Sequence, residues 1–308
     1  NNFSENFIIN PNAPGLMPIL NWRRVSKVHA LRLGKRADND GRVKFLCLLV
    51  WLFASARLPA LAIEKTDPID TNRPSFCQSG IVVPRGTLQL ENGSQYQHFQ
   101  HGGDYFDIPE TEVRIGATRR LELQMFVPQY VLVHGPSQSF EGASGLNEVG
   151  LKTQLIDREH LSASLVTAVN IPSGMRRISG SVAQPVLRLP YSIHLGKRWS
   201  VCGMQSLIIN GPGGEVQWQP FAMVTRSLSP TSSAFAEYAG FFTQNSHRPS
   251  FQVAHFGAVK NIKTYHQVDA HFGFGLNRSS PSAFVGVGYS FRINDLSLFD
   301  SPKKTHLR

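Results

Sequence analysis

Cysteine is scarce in this chain: 308 residues contain only Cys47, Cys77 and Cys202. No CxxC pair and no Cys/His ligand spacing occurs, so the sequence-readable zinc sites are excluded. Long apolar runs are missing too, and none reaches the roughly 20 residues a helical membrane span needs. A concentrated basic face is also lacking, despite a formal charge of +10. Residues 1–62 hold nine Lys/Arg against three Asp/Glu, whereas the remainder holds 22 against 18, scattered over turns and alternating positions. Nucleic acid is therefore not an expected partner. Gly211-Pro212-Gly213-Gly214 has no following Lys-Ser/Thr or helix, so it reads as an ordinary loop and not a phosphate cradle.

Toward the N-terminus the chain carries an export signal. Val43-Lys44 leads into an apolar core of about ten residues that closes on Ala60-Leu61-Ala62, the charged-apolar-small pattern of a secretory signal peptide. Cleavage there makes Ile63 the mature start. Residues 1–42 have no initiating Met and no periodic pattern. They read as a disordered leader or as untranslated sequence ahead of a start at Val43. The expected organisation is leader 1–42, signal 43–62, periplasmic segment 63–85, β domain 86–293 and polar tail 294–308. Cys77 and Cys202 both lie in the exported part, where oxidation is permitted, but two cysteines do not establish a bond.

Residues 86–293 read as about twelve β-strands in succession, because side chains on a strand alternate between two faces. Val268, Ala270, Phe272, Phe274 and Leu276 alternate with Asp269, His271, Gly273, Gly275 and Asn277. Ala283, Val285, Val287, Tyr289, Phe291 and Ile293 alternate with Phe284, Gly286, Gly288, Ser290 and Arg292. The same two-faced pattern runs through 121–127, 161–171 and 187–195. It is less clean in 216–228, 234–242 and 251–262.

Connections alternate between long and short. The long ones read as 97–109, 133–147, 172–184, 209–216, 244–250 and 277–282. The tight ones read as 118–120, 157–159, 196–198, 229–231 and 261–264. An up-and-down outer-membrane barrel has this rhythm, with short periplasmic turns and longer outer loops. A soluble sandwich also alternates, with its apolar face inward. Strand length favours the barrel, since runs such as 161–171 approach the roughly 9–11 residues of a tilted transmembrane strand. The fold expected is all-β: a closed antiparallel up-and-down transmembrane barrel. Tyr96, Phe99, Tyr130, Trp199, Trp218, Phe241, Tyr265 and Phe291 fall near strand ends, where interfacial girdles sit. The last strand, 283–293, reads as a signal for the barrel-assembly machinery.

Several stretches carry a family resemblance. They include Asp70-Thr71-Asn72-Arg73-Pro74-Ser75-Phe76, then 83–93, then Glu112-Val113-Arg114-Ile115-Gly116. Gly145-Leu146-Asn147-Glu148 follows, and 268–277 and 284–289 close the series. In this order they resemble the MetA-pathway of phenol degradation family of outer-membrane-type β proteins, from about residue 67 to 293. The resemblance implies a channel or transporter-like protein in an aromatic catabolic context, and supplies no catalytic motif.

Parity places Glu91, Glu112, Arg114 and Glu122 on the polar faces of three neighbouring strands. Asp269, His271 and Arg292 form a second polar group beside the seam. Both groups are expected to line the lumen, as structural ion pairs or as a charged constriction. Asp70 and Arg73 precede the first strand, and are expected to tuck into the periplasmic mouth as a plug. A hydrolase would need a positioned Ser and an oxyanion site, and nothing marks Ser290 as activated. His98, His101 and Asp104 have no second ligand set. No catalytic, cofactor or metal residues are therefore expected, and no enzymatic activity.

The functional expectation is an outer-membrane channel of a Gram-negative bacterium for small solutes, hydrophobic or aromatic ones among them. Its partners would be outer-membrane lipid, the assembly machinery and the solute. A non-transporting structural barrel and a soluble periplasmic ligand-binding sandwich stand as alternatives.

Overall fold

A computed structural model describes residues 67–100, 102–136, 139–210, 215–244 and 250–296. The expected leader and signal peptide, His101, the 211–214 loop and residues 297–308 of the tail lie outside the described residues.

The strands are β1 (Leu88–Phe99), β2 (Asp104–Gly116), β3 (Leu121–Phe126), β4 (Tyr130–His134), β5 (Phe140–Ala143), β6 (Glu148–Arg158) and β7 (Leu161–Asn170). They continue as β8 (Gln184–Leu195), β9 (Trp199–Asn210), β10 (Glu215–Ser229), β11 (Ser232–Thr243), β12 (Phe251–Lys263), β13 (His266–Gly275) and β14 (Pro281–Ile293). One helical turn, α1 (Arg176–Ser179), lies between β7 and β8.

Fourteen segments make twelve staves. β3 pairs with one end of β2 and β4 with the other, so together they are one interrupted stave. β5 pairs with β4, and β6 with β3, giving the next. Every neighbouring pair is antiparallel, and β1 pairs with both β2 and β14. The sheet closes on itself through β1, as a lipid-embedded sheet must, and of these strands only the short β5 is paired on one side alone.

Burial is inverted relative to a soluble protein. Phe272, Val285 and Val287 face outward and are more than half exposed. Glu91, Arg114, Glu122, Arg188 and Ser290 are at most 1 % exposed. Apolar outside and polar inside is the pattern of a transmembrane barrel, and it removes the sandwich alternative.

Two sequence expectations need correction. The segment 97–109 is mostly not a loop: β1 runs to Phe99, β2 starts at Asp104, and only residues 100–103 connect them. Likewise 133–147 contains β5, which pairs with β4. Polar composition marks where a strand leaves lipid, not where its hydrogen-bond ladder ends. Phe99 and Phe241 are not girdle residues. Both face inward, at 9 % and 2 % exposure. Tyr96, Tyr130, Trp199 and Trp218 do face outward.

Residues 67–87 enter the barrel from its tight-turn end, where Ile69 N donates to Thr264 O at 2.8 Å. They leave at the same end, where Gly86 N donates to Gly116 O at 2.8 Å. Between these points the segment folds into the lumen, with Phe76, Cys77 and Gln78 almost fully buried. Cys77 is disulfide-bonded to Cys202 on β9, across 6.6 Å between Cα atoms.

Candidate functional site: the barrel lumen

The lumen has two unlike halves. On β1, β2, β3, β6 and β8 most of the inward positions are charged or amide-bearing. On β9–β14 many of the same inward positions carry Met204, Phe221, Phe241, Phe251, Val253 and Phe284, one buried cluster that also holds Phe76 and Cys202. The inserted segment touches both halves.

In the charged half Arg114 is the hub. Its Nε lies 2.6 Å from Glu122 Oε1, and its Nη1 lies 2.9 Å from Glu91 Oε1. Its Nη1 also donates to Asp70 O at 3.2 Å. A planar guanidinium suits this role because it donates in several fixed directions at once. Removing charges from water is costly unless each is paired and hydrogen-bonded, as Arg114, Glu91 and Glu122 are.

The carboxylates then reach inward to the segment. Glu91 Oε2 accepts from Asn72 N at 2.8 Å and Arg73 N at 2.9 Å. Glu112 accepts both of its bonds from Asn72 Nδ2, at 3.0 and 2.9 Å. Glu122 Oε2 accepts from Val83 N at 2.7 Å, and Gln154 Oε1 from Val82 N at 2.9 Å. Lumen side chains thus satisfy backbone N–H groups of a segment that has no strand partner there.

Asp70 and Arg73 both sit in this network. The Asp70 carboxylate accepts from Ser79 Oγ, and Gln89 Nε2 donates to Asp70 O at 2.7 Å. Arg73 pairs with Glu110 at 2.6 Å and lies 3.7 Å from Asp269. Burial opposes the Arg73 charge, but Glu110 and Asp269 outweigh it and hold the guanidinium pKa above its ordinary value. The guanidinium lies against Gly93, where a Cβ would overlap it.

Glu91, Glu112, Arg114 and Glu122 are therefore in one cluster. The second expected group is not one cluster. Asp269 faces Arg73, while His271 Nδ1 lies 3.0 Å from His255 Nε2. Ser290 Oγ has no hydrogen bond to either. Arg292 stands apart at the tight-turn rim, where Nη2 donates to Asp67 O at 2.5 Å. His98 and Asp104 are paired at 2.8 Å on exposed strand ends, and no metal-ligating group occurs among the described residues.

Sequence reasoning missed the anchor in the apolar half. Glu237 accepts from Phe76 N at 3.0 Å and Cys77 N at 2.7 Å. His255 Nδ1 lies 2.7 Å from the same carboxylate. The available signal was that Glu237 is the only charged residue in β11. The bidentate pair of Arg188 with Glu148, at 2.6 and 2.7 Å, was also missed.

Below the segment, toward the tight turns, a cavity of about 600 Å³ is lined by Thr71 and Ser79 of the segment and by Ser162, Ser192, Thr225 and Ser227 of the wall. At the opposite end Ile178 of α1 packs with Phe99, Tyr105 and Val131.

This architecture agrees with the comparisons. Residues 71–293 match the family described as Putative MetA-pathway of phenol degradation, and the chain belongs to that family. Among solved structures it is similar to the COG4313 outer membrane channel from Pseudomonas putida F1. The two share 14 % identity at a TM-score of 0.53, over 69 % of this chain and 97 % of that one. It is also similar to the NanC porin, at 9 % identity and a TM-score of 0.49 over 66 % and 100 % of the two chains. No curated protein matches by sequence.

Proposed function

We propose that this protein is a channel of the Gram-negative outer membrane that passes small solutes, aromatic and hydrophobic ones among them. Residues 67–85 are its internal plug. The observation that carries the reading is the inserted segment itself. Glu91, Glu122, Gln154 and Glu237, facing the lumen of a closed barrel, hold it by accepting hydrogen bonds from its backbone N–H groups. A wall that only had to be stable would pair its polar groups with one another. This wall spends several acceptors on an inserted segment of its own chain. Membership of the phenol-degradation family and likeness to an outer-membrane channel support the same reading. In this reading residues 43–62 export the chain, the assembly machinery inserts it, and lipid covers the outer face. It acts as a conduit and not as an enzyme.

The test is conductance. The chain from residue 63 onward and a variant lacking residues 63–84 are reconstituted in planar bilayers, and liposome swelling is followed with phenol and with sugars. The deletion is expected to conduct several-fold more. Equal conductance in both proteins sinks the plug, and absence of conductance and swelling in both sinks the channel.

A further inference from the structure

Phe76 is the only ring that the inserted segment places in the aromatic cluster of the wall. Its centroid lies 5.0 Å from that of His255, 5.7 Å from Phe241, 5.9 Å from Phe221 and 6.1 Å from Phe284. Three of these contacts are edge-on, the arrangement that aromatic quadrupoles favour. The four wall residues come from β12, β11, β10 and β14, so the barrel itself builds a cage for one ring. Phe76 is 1 % exposed within it. We propose that this cage is the recognition site for a monocyclic aromatic solute, and that Phe76 occupies it in the solute's place. The inference rests on the channel reading above and adds the site and the class of ligand.

The apolar wall gives the physical reason. Phenyl groups facing a water-filled lumen lose roughly 25 cal/mol for each Å² left uncovered. In the closed state the Phe76 ring covers that surface. When the segment withdraws, an aromatic solute restores the burial, so it binds the withdrawn state better and shifts the population toward it.

The polar groups at the cage narrow the class of ligand. Glu237 accepts from the backbone N–H of Phe76 itself, and departure of Phe76 removes one of the two partners of that carboxylate oxygen, leaving His255 Nδ1. A solute with an O–H or N–H on the ring, or one atom from it, replaces both the ring and the donor.

The disulfide defines what moves. Cys77 is fixed to Cys202, and Val82 and Val83 are held by Gln154 and Glu122. Residues 67–76 are therefore the arm that exchanges with solute, and Cys77 is its hinge.

The experiment measures conductance of the reconstituted chain against benzyl alcohol, with cyclohexylmethanol as the non-aromatic control of similar size. Benzyl alcohol is expected to raise conductance saturably, and cyclohexylmethanol is not. In Phe76→Ala the half-effect concentration should fall about tenfold, because the competing ring no longer lowers the binding-competent fraction. In Phe284→Ala the response should be lost. Phe284→Leu keeps apolar bulk without the ring and should also lose it, which covers the case where the alanine variant fails to fold. Folding of each variant is checked by heat-modifiable gel migration. An equal response to both alcohols, an unshifted half-effect concentration in Phe76→Ala, or a retained response in folded Phe284→Leu overturns the cage. If the 63–84 deletion conducts while benzyl alcohol has no effect on the full chain, this inference fails and the channel stands. If the deletion does not conduct, the channel reading itself fails.

Discussion

Arg114 shows how one side chain ties the wall to the segment. It joins Glu91 and Glu122, and each of those carboxylates holds a backbone N–H of the insert. Arg114→Met removes the cation hydrogen-bonded to both and leaves two buried anions close together. Breaking a buried pair in this way costs about 3–5 kcal/mol. The expected readout is a marked drop in the temperature at which the fast-migrating folded band converts to the slow unfolded one. Arg114→Lys keeps the charge but loses the fork, and should fall between wild type and Arg114→Met. Glu237 is the corresponding residue of the apolar half. Hydrogen bonds to a charged group contribute about 1.5–3 kcal/mol each, so Glu237→Ala, which loses one such bond to the arm and one to its hinge, should raise the fraction of time the channel conducts. Single-channel recording checks this, and an unchanged open fraction counts against Glu237 as an anchor.

At the scale of elements, the disulfide divides the insert into two parts with different freedom. The arm 67–76 is held by hydrogen bonds and one aromatic ring, whereas residues 77–87 are also bounded by a covalent link and by β1. Reduction with dithiothreitol, or Cys202→Ser, should therefore give conducting levels larger than any the oxidised channel reaches, because the second part can then withdraw as well. A single unchanged level under both conditions refutes this division. The sequence exposed these elements unevenly. β13 and β14 were clear because glycine and polar residues alternate with large apolar ones. β10, β11 and β12 were obscure for a reason now visible: Phe221, Phe235, Phe241 and Phe251 face inward, so both faces of those strands are apolar. The charged cluster followed from parity on adjacent strands. The pairing of Cys77 with Cys202 did not, because it depends on where an irregular segment lies inside the barrel. Loop lengths were overestimated wherever strands rise past the lipid belt with polar side chains, as at Asp104 and Tyr105.

The whole molecule is a sheet whose two faces meet different solvents, and that contrast can be tested at a single height. The β1–β14 register sets Ser94 against Val287 and Gln95 against Gly286. Val287 and Gln95 therefore lie one step apart near the middle of the wall, on opposite faces. Val287 is 56 % exposed toward the surroundings of the barrel, and Gln95 is 1 % exposed toward its interior. An arginine at Val287 would place its charge among acyl chains, at a cost of about 2–4 kcal/mol near the bilayer midplane. An arginine at Gln95 would face Asp107, which is opposite it on β2, and gains a partner for its charge. Urea titration of folding in vesicles should show Val287→Arg losing that amount, and Gln95→Arg losing much less. The two substitutions add the same group to neighbouring heights of one wall, so equal losses would mean that the oily face is not in lipid. Neither the closed barrel nor its internal plug would then describe the protein in its membrane.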